Sequence, residues 1–368
     1  MRTTRSRRFR VMAALAIAPL ALTACGGSDT EAGSSGGSGG SDGEGGGDIA
    51  VTLITKTDTN PFFVAMKEGA EQAGQEQGVS ITTAAGKQDG DEQSQIAAIE
   101  EAIARGDDGI LITPTGPGVN GALDNARQQG LYVIALDTPP DPPETVDITF
   151  ATDNFKAGEL IGEWTKATLG GEKATIALLD LFNDTVVSVD YNRDQGFLTG
   201  MGIDVADPQV NGDEAKTGSY DGGEYEIVCN EPTDGAEDGG RTAMENCLAK
   251  NPDINVVYTI NEPAAVGAYG ALQQAGSADG VLIVSVDGGC DGVSQVADGV
   301  IGATSQQYPL KMAQLGVEAI KTIAEGGEPP ATTEGLDFYD TGVALVTDQP
   351  ADGVESIDTT EGSDLCWG

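Results

Sequence analysis

Short aliphatic runs recur along this chain, each followed by a stretch with helical apolar spacing, and that alternation restricts the fold more than any other feature. VTLIT closes a first strand (48–55), and PFFVAMKEGAEQAGQEQ (61–77) follows as a helix. VSITTAA (79–85) leads to QSQIAAIEEAIAR (93–105), where Ile96, Ile99 and Ile103 share one stripe. GILIT (109–113) leads to a helix over 119–129, and LYVIALD (131–137) and ITFATD (148–153) complete the first series. A second series then begins: helix 158–169, strand 174–181, helix 190–202, strand 225–230, helix 239–250, strand 255–260, helix 264–275 and strand 281–287. It closes with a short helix 293–298, strand 302–307, helix 310–325 and an extended segment 336–348. Strands without polar alternation are buried on both faces, which a parallel sheet between helix layers provides. The two series predict an α/β chain of two doubly wound lobes. The segment 203–224, rich in Gly, Asp and Glu and without apolar period, reads as an exposed insertion or long loop. No Ca-loop spacing of the D-x-[DN]-x-[DN]-G kind occurs in it.

In an open α/β sheet, ligands sit beyond the carboxyl ends of the strands. Six polar residues occupy such ends here: Lys56, Asn60, Asp137, Asn261, Asp287 and Gln307. Carboxylates and amides bond adjacent hydroxyls in pairs, a lysine adds fixed donors, and aromatic rings offer faces to C–H surfaces. Phe62 and Phe63 follow Asn60-Pro61, a helix start with an N-cap and a proline in the first turn. One ring is enough for the helix's core stripe, which leaves the other for the crevice. This is equipment for holding a neutral polyol. Asp137 and Asp287 as a glycosidase pair would be the enzymatic alternative, and nothing else in the chain supports it.

Composition narrows the classes further. The chain has no histidine, so Ser-His-Asp, Cys-His and His-metal chemistry are excluded. MRTTRSRRFR carries five arginines and precedes the apolar VMAALAIAPLALTA, too short for a permanent span. With Leu22-Thr23-Ala24-Cys25 this resembles a bacterial lipoprotein signal, cleaved before an acylated Cys25. GGSDTEAGSSGGSGGSDGEGGGD then reads as a flexible tether. Without the first 24 residues, 14 basic residues face 59 acidic ones, a net charge of −45. Nucleic acid is therefore excluded as a partner, and a neutral ligand is favoured over an anionic one. Cys229, Cys247, Cys290 and Cys366 remain after lipidation. Four cysteines allow three pairings. We favour Cys229–Cys247, close in sequence, and Cys290–Cys366, which would pin the tail DLCWG to the loop DGGC. Zinc is the weaker alternative, because no C-x-x-C spacing occurs. No cofactor or metal is expected.

TKTDTNPFFVAMKEGA, VIALDTP, NRDQGF, YTINEPAAVGAYGAL, VSVDGGCDGV and IGATSQQYP occur in this order. Over residues 49–368 the chain resembles the type I periplasmic sugar-binding proteins of ABC importers, the ribose/galactose/fructose group. LDTP, ATDNFKAGELIGEW, TINEPAA, SVDGGC and GATSQQYP look most like the fructose-binding branch. The resemblance implies two lobes joined by a three-strand hinge, with 49–152 plus 308–340 forming the N-terminal lobe and 153–307 plus 341–355 the C-terminal lobe. The tail 356–368 would be held by a disulfide. Crossings are expected near Asp153, Asp287–Asp291 and Gln307. It also implies a sugar site: Lys56 and Asn60 on hydroxyls, Phe62 and Phe63 around the ring, Asp137 with Thr138 beside it, and Arg193, Asn261, Asp287 and Gln307 from the second lobe. Lys56, Thr138 and Gly235 stand where ribose binders carry a small hydroxyl residue, an arginine and an aromatic. These departures speak against ribose itself. Each contact has an ordinary alternative: a phenylalanine in the core, Arg193 paired with Asp190 or Asp194 on its own helix, or Asp137 capping a turn.

The expectation is thus a monomeric, exported, lipid-anchored binding component that delivers a monosaccharide, fructose by resemblance, to a permease and its ATPase. A sensing receptor component of the same fold, for a sugar or a furanose signal, is the alternative.

Overall fold

The computed structural model describes residues 49–368. The export signal, Cys25 and the tether expected over 1–47 lie outside the described residues. The first half runs β1 (Ala50–Thr55), α1 (Pro61–Gln77), β2 (Ser80–Ala85), α2 (Glu92–Arg105), β3 (Gly109–Ile112), α3 (Asn120–Gln128), β4 (Tyr132–Leu136) and β5 (Ile148–Ala151). The second half runs α4 (Asn154–Leu169), β6 (Ala174–Asp180), α5 (Ser188–Met201), β7 (Thr217–Tyr220), β8 (Gly223–Pro232), α6 (Glu237–Lys250), β9 (Val256–Thr259), α7 (Glu262–Ala275), β10 (Leu282–Asp287), α8 (Cys290–Ala297) and β11 (Ala303–Gln306). The chain ends with α9 (Pro309–Ala324), β12 (Tyr339–Asp340), β13 (Ala344–Val346) and α10 (Thr359–Leu365).

Two sheets result, ordered β12-β5-β4-β3-β1-β2 and β13-β11-β10-β9-β6-β8-β7. The first is parallel throughout, and the second is parallel apart from its edge strands β13 and β7. Both reverse their strand order at the first strand of the series, between β1 and β3 and between β6 and β9. That reversal opens a crevice at the carboxyl ends. In the first lobe Phe62, Met66 and Ala70 of α1 share a core with Met312, Val317 and Ile320 of α9 on one face of the sheet. Ile99 and Leu123, from α2 and α3, belong to a second core with Ile54, Ile110 and Ile112. In the second lobe Trp164, Phe197 and Tyr258 centre one core, and Met244, Ala268 and Leu272 the other. Helices α4 and α5 approach so closely that a Cβ on Gly158 would lie 2.1 Å from the carbonyl oxygen of Arg193, and one on Gly196 would lie 2.2 Å from that of Phe155.

The chain passes between sheets after β5, after β11 and between β12 and β13. Asp340 ties the first and third passages together, its Oδ1 accepting from the backbone N–H of Asp153 (3.2 Å) and of Gly342 (2.9 Å). Asp287–Asp291, expected as a crossing, instead joins β10 to α8 within the second lobe. Helix α4 begins at Asn154 rather than Gly158, because Asp153 caps it by accepting from the N–H of Lys156 at 3.0 Å. The expected loop 203–224 contains β7, which forms a hairpin with β8 at the sheet edge. Buried Tyr220 anchors that edge, donating its hydroxyl to the carbonyl of Glu172. Cys229 is bonded to Cys247 and Cys290 to Cys366. The first bond joins β8 to α6, and the second joins the start of α8 to the residue after α10. Helix α10 has no counterpart in the sequence reading.

Candidate functional site

Lys56 follows β1 and is buried, with its Nζ 3.8 Å from Asp137 Oδ2 and 6.0 Å from the centre of the Phe63 ring. Asp137 follows β4 with a φ of 65°. Aspartate tolerates this left-handed backbone better than most residues do. The Thr138 hydroxyl donates to Asp137 Oδ2 at 2.7 Å. Asn60 caps α1, its Oδ1 accepting from the N–H of Phe62 at 2.9 Å. The rings of Phe62 and Phe63 meet edge to face, 5.3 Å between centres. The cap sets where α1 begins, and the start of α1 sets where both rings point.

The second lobe answers from its own strand ends. The Arg193 guanidinium is buried and donates to Asn154 Oδ1 (2.7 Å) and to the Ile260 carbonyl (2.9 Å). Asn261 caps α7 by accepting from the N–H of Ala264, while its Nδ2 donates to the Gly235 carbonyl at 3.0 Å. Gly235 has a φ of 62°, and a Cβ there would press on Asn261 Nδ2 at 3.1 Å. This backbone conformation is one that favours glycine and is poorly suited to an aromatic residue. Asp287 ends β10, and its Oδ1 accepts from Gln307 Nε2 at 2.8 Å.

Lys56, Asn60, Phe62, Phe63 and Asp137 from the first lobe, Arg193, Asn261 and Asp287 from the second, and Gln307 at the second passage line one cavity of about 30 Å³. Asn60, Phe63 and Asp287 also line an adjoining chamber of about 730 Å³. Thr138 is not among the lining residues of either. Its hydroxyl is engaged by Asp137, and it faces a separate pocket with Pro139 and Ser188. The structure adds Asp89, Leu181, Val189 and Ile260 to the inner cavity, and Glu262 and Trp367 to the outer chamber. Asp89 follows β2 by the same strand-end rule that found Asp137. Trp367 has no such signal.

Burial controls the charges here. It pushes the Asp287 carboxyl up to about 6, opposed by the Arg193 charge and reinforced by Asp137. Glu262 is pushed up to about 8, by burial first and then by Asp287, although the N–H groups of Gly288 and Gly289 and the Thr304 hydroxyl all donate to it. Asp190, which accepts from the N–H groups of Leu181 and Phe182, reaches about 6, chiefly through burial. Among the described residues no group of three His, Cys, Asp or Glu is placed to hold a metal ion. The arrangement presents paired carboxylates, amides, one guanidinium and two rings around a small cavity that adjoins the larger chamber. Such a set can grip hydroxyls and an apolar C–H face.

A family model described as a periplasmic binding protein domain matches residues 49–328. The ribose import binding protein of Escherichia coli strain K12 is 28% identical over 277 residues, spanning 75% of this chain and 85% of that protein. The D-apiose import binding protein of Actinobacillus succinogenes is 29% identical over 280 residues, spanning 75% of this chain and 82% of that protein. Among solved structures, a solute-binding protein of Agrobacterium vitis with bound D-fucose superposes with a TM-score of 0.70 at 24% identity, covering 86% of this chain and 100% of that one. One from Actinobacillus succinogenes with bound D-allose gives 0.70 at 21% identity, covering 86% and 99%.

Proposed function

The chain belongs to the periplasmic binding protein domain family and has its type I fold, and on that premise we propose that it captures a neutral monosaccharide between its lobes for an ABC importer. The observation that carries this reading is the convergence of strand-end polar groups from both lobes on one cavity beside Phe62 and Phe63. In this reading Asp137, Asp287, Asn261 and Asn60 bond hydroxyls, Lys56 and Arg193 supply fixed donors, and the phenylalanines contact the C–H face. Thr138 acts only through Asp137. The relatives are import binding proteins rather than enzymes, and the site is read as holding sugar without turnover. The lobes, 49–152 plus 308–340 and 153–307 plus 341–355, move as units about the three connections. A sugar touching both lobes stabilises the closed form, which the permease and its ATPase recognise.

Within this reading, Cys25 carries a lipid that holds the monomeric protein at the outer face of the cytoplasmic membrane, with 25–47 as tether. The basic start, the LTAC sequence and the Gly/Ser-rich stretch support it. Radiolabelled palmitate should enter the wild type and not Cys25→Ala. Fructose is the proposed sugar, on the strength of the LDTP, TINEPAA, SVDGGC and GATSQQYP motifs. Calorimetric titration with D-fructose, D-ribose, D-allose, D-xylose, D-glucose, D-galactose and myo-inositol tests it. One-to-one binding led by fructose is expected. A stronger response to another sugar replaces fructose, and no response to any removes the monosaccharide reading.

A further inference from the structure

Trp367, the penultimate residue, is buried beside a cleft that its chain position gives it no obvious reason to reach. The tail carrying it is fastened to the second lobe and the passage beside it. Cys366 is bonded to Cys290, Gln306 Nε2 donates to the Gly362 carbonyl at 3.0 Å, and the N–H of Cys290 donates to the Trp367 carbonyl at 2.9 Å. The indole Nε1–H donates to the Gln307 carbonyl at 2.8 Å. The ring itself belongs to the core of the first lobe. It meets Phe62 edge to face with centres 5.4 Å apart, and Phe62 in turn lines the inner cavity. The other exposure of Trp367 is to the outer chamber, which it lines together with Asn60, Phe63 and Asp287. A side chain whose backbone is tied to one lobe and whose ring packs on the other spans the cleft.

We infer that Trp367 is a positioning residue of the ligand site, held by the Cys290–Cys366 bond so that its indole braces Phe62 against a bound sugar and closes the outer chamber behind it. The inference rests on the monosaccharide reading above for its ligand, but the placement of Trp367 does not. Opening of the lobes would separate Phe62 from α8. A backbone fixed at Cys290 cannot follow Phe62, so the indole contact exists in the closed form and is broken in the open one. Edge-to-face aromatic pairs are favourable beyond their area burial, and the disulfide next to Trp367 holds the indole where it makes one with Phe62.

Two tryptophans simplify the test, because Trp164 lies fully buried in the second lobe's core and makes no cleft contact. In the full mature chain carrying Trp164→Phe, fluorescence reports Trp367 alone. The sugar selected by titration should shift its emission and protect it from acrylamide. Trp367→Ala should weaken binding about tenfold, mainly through faster dissociation, and Trp367→Phe should recover most of that loss, as an aromatic brace predicts. In the Trp164→Phe background, Cys290→Ser with Cys366→Ser should expose Trp367 to quencher without any sugar present. Sugar binding with unchanged affinity in Trp367→Ala and no change in Trp367 emission overturns the inference. If no sugar binds the unmodified chain, the proposed ligand fails instead, and quenching decides the placement of Trp367: faster quenching in the double serine variant upholds it, and equal quenching overturns it.

Discussion

Gln307 holds Asp287 twice: its Nε2 donates to Asp287 Oδ1 at 2.8 Å and its backbone N–H donates to the Asp287 carbonyl at 2.9 Å. The residue at the passage into α9 therefore fixes the carboxylate at the end of β10. One Asp287 oxygen is engaged by Gln307, so that side chain sets how the carboxylate faces the cavity. Asp287→Ala should remove an acceptor for the ligand and one of the buried carboxylates, with Asp190, that balance the Arg193 charge. Loss of a charged hydrogen bond is about 1.5–3 kcal/mol, so sugar affinity should fall roughly 10- to 100-fold. Gln307→Leu should show a smaller loss, since the acceptor remains but is no longer oriented. Calorimetry on both variants checks the order, and equal losses would count against the orienting role.

Affinity should depend on pH through Asp287. Its carboxyl stands at about 6 in the folded chain, raised by burial against the pull of Arg193, with Asp137 and Glu262 as its acidic neighbours. A sugar hydroxyl bonds the ionised form better than the protonated one. Affinity should be full above this value and weaken below it, approaching tenfold per pH unit. Titrations at pH 5, 6, 7 and 7.5 read this directly. A flat profile would mean that Asp287 does not accept from the ligand.

Stability should fall with rising pH because of Glu262. Its carboxyl rises from 4.5 to about 8 on folding, so the folded chain holds a proton that the unfolded chain has released. The sign follows: this contribution is complete below about 4.5 and is lost as pH climbs towards 8, at about 1.4 kcal/mol per pH unit between them. Glu262→Gln keeps the shape and removes the titration. Its melting temperature should change less between pH 6 and pH 8 than that of the wild type, and parallel curves would refute the assignment.

Arg193→Lys should be far from conservative. The guanidinium donates from Nε to Asn154 and from Nη1 to the Ile260 carbonyl. A single ammonium cannot reproduce that fork and still face the cavity. We expect sugar affinity to drop about tenfold or more, the equivalent of one charge-assisted bond, and melting to fall as well, because Asn154 Oδ1 and the Ile260 carbonyl lose a buried donor.

Gly196→Ala and Gly121→Ala separate close packing from helix propensity. A Cβ at Gly196 would lie 2.2 Å from the Phe155 carbonyl oxygen, whereas nothing lies within 4 Å of one at Gly121. Overpacking should cost about 1–3 kcal/mol at position 196 and tilt α5, which carries Arg193, so melting and affinity should fall together. Gly121→Ala should be neutral or gain up to about 1 kcal/mol. Thermal melts beside calorimetry distinguish these outcomes.

Much of the site was legible because a doubly wound sheet places strand ends at its crevice regardless of detail. Asp137, Asn261 and Asp287 could be found by locating where aliphatic runs stop. Asn60 and the phenylalanines were legible through the Asn-Pro helix start. Thr138 lies beside Asp137 as expected, but a neighbouring position does not reveal which way a hydroxyl turns: here it donates to Asp137, and Thr138 lines a separate pocket. Glu262 was missed because acidic first-turn residues are common at helix starts. Only the packing of α7 against β10 and β11 buries it beneath the N–H groups of Gly288 and Gly289.

The sequence by itself determined the two βα series, their parallel sheets, the absence of histidine chemistry and the polar strand ends, because these depend on local periodicity and residue type. Tertiary structure alone decided the hairpin within 203–224, the burial of Glu262 and the seat of the Trp367 ring against Phe62. Each of these depends on contacts between segments far apart in the chain, with no periodicity of their own. Trp367 shows the difference most clearly: as a residue it is one indole near a chain end, and only a disulfide, one carbonyl of Gln307 and the ring of Phe62 make it a wall of the cleft.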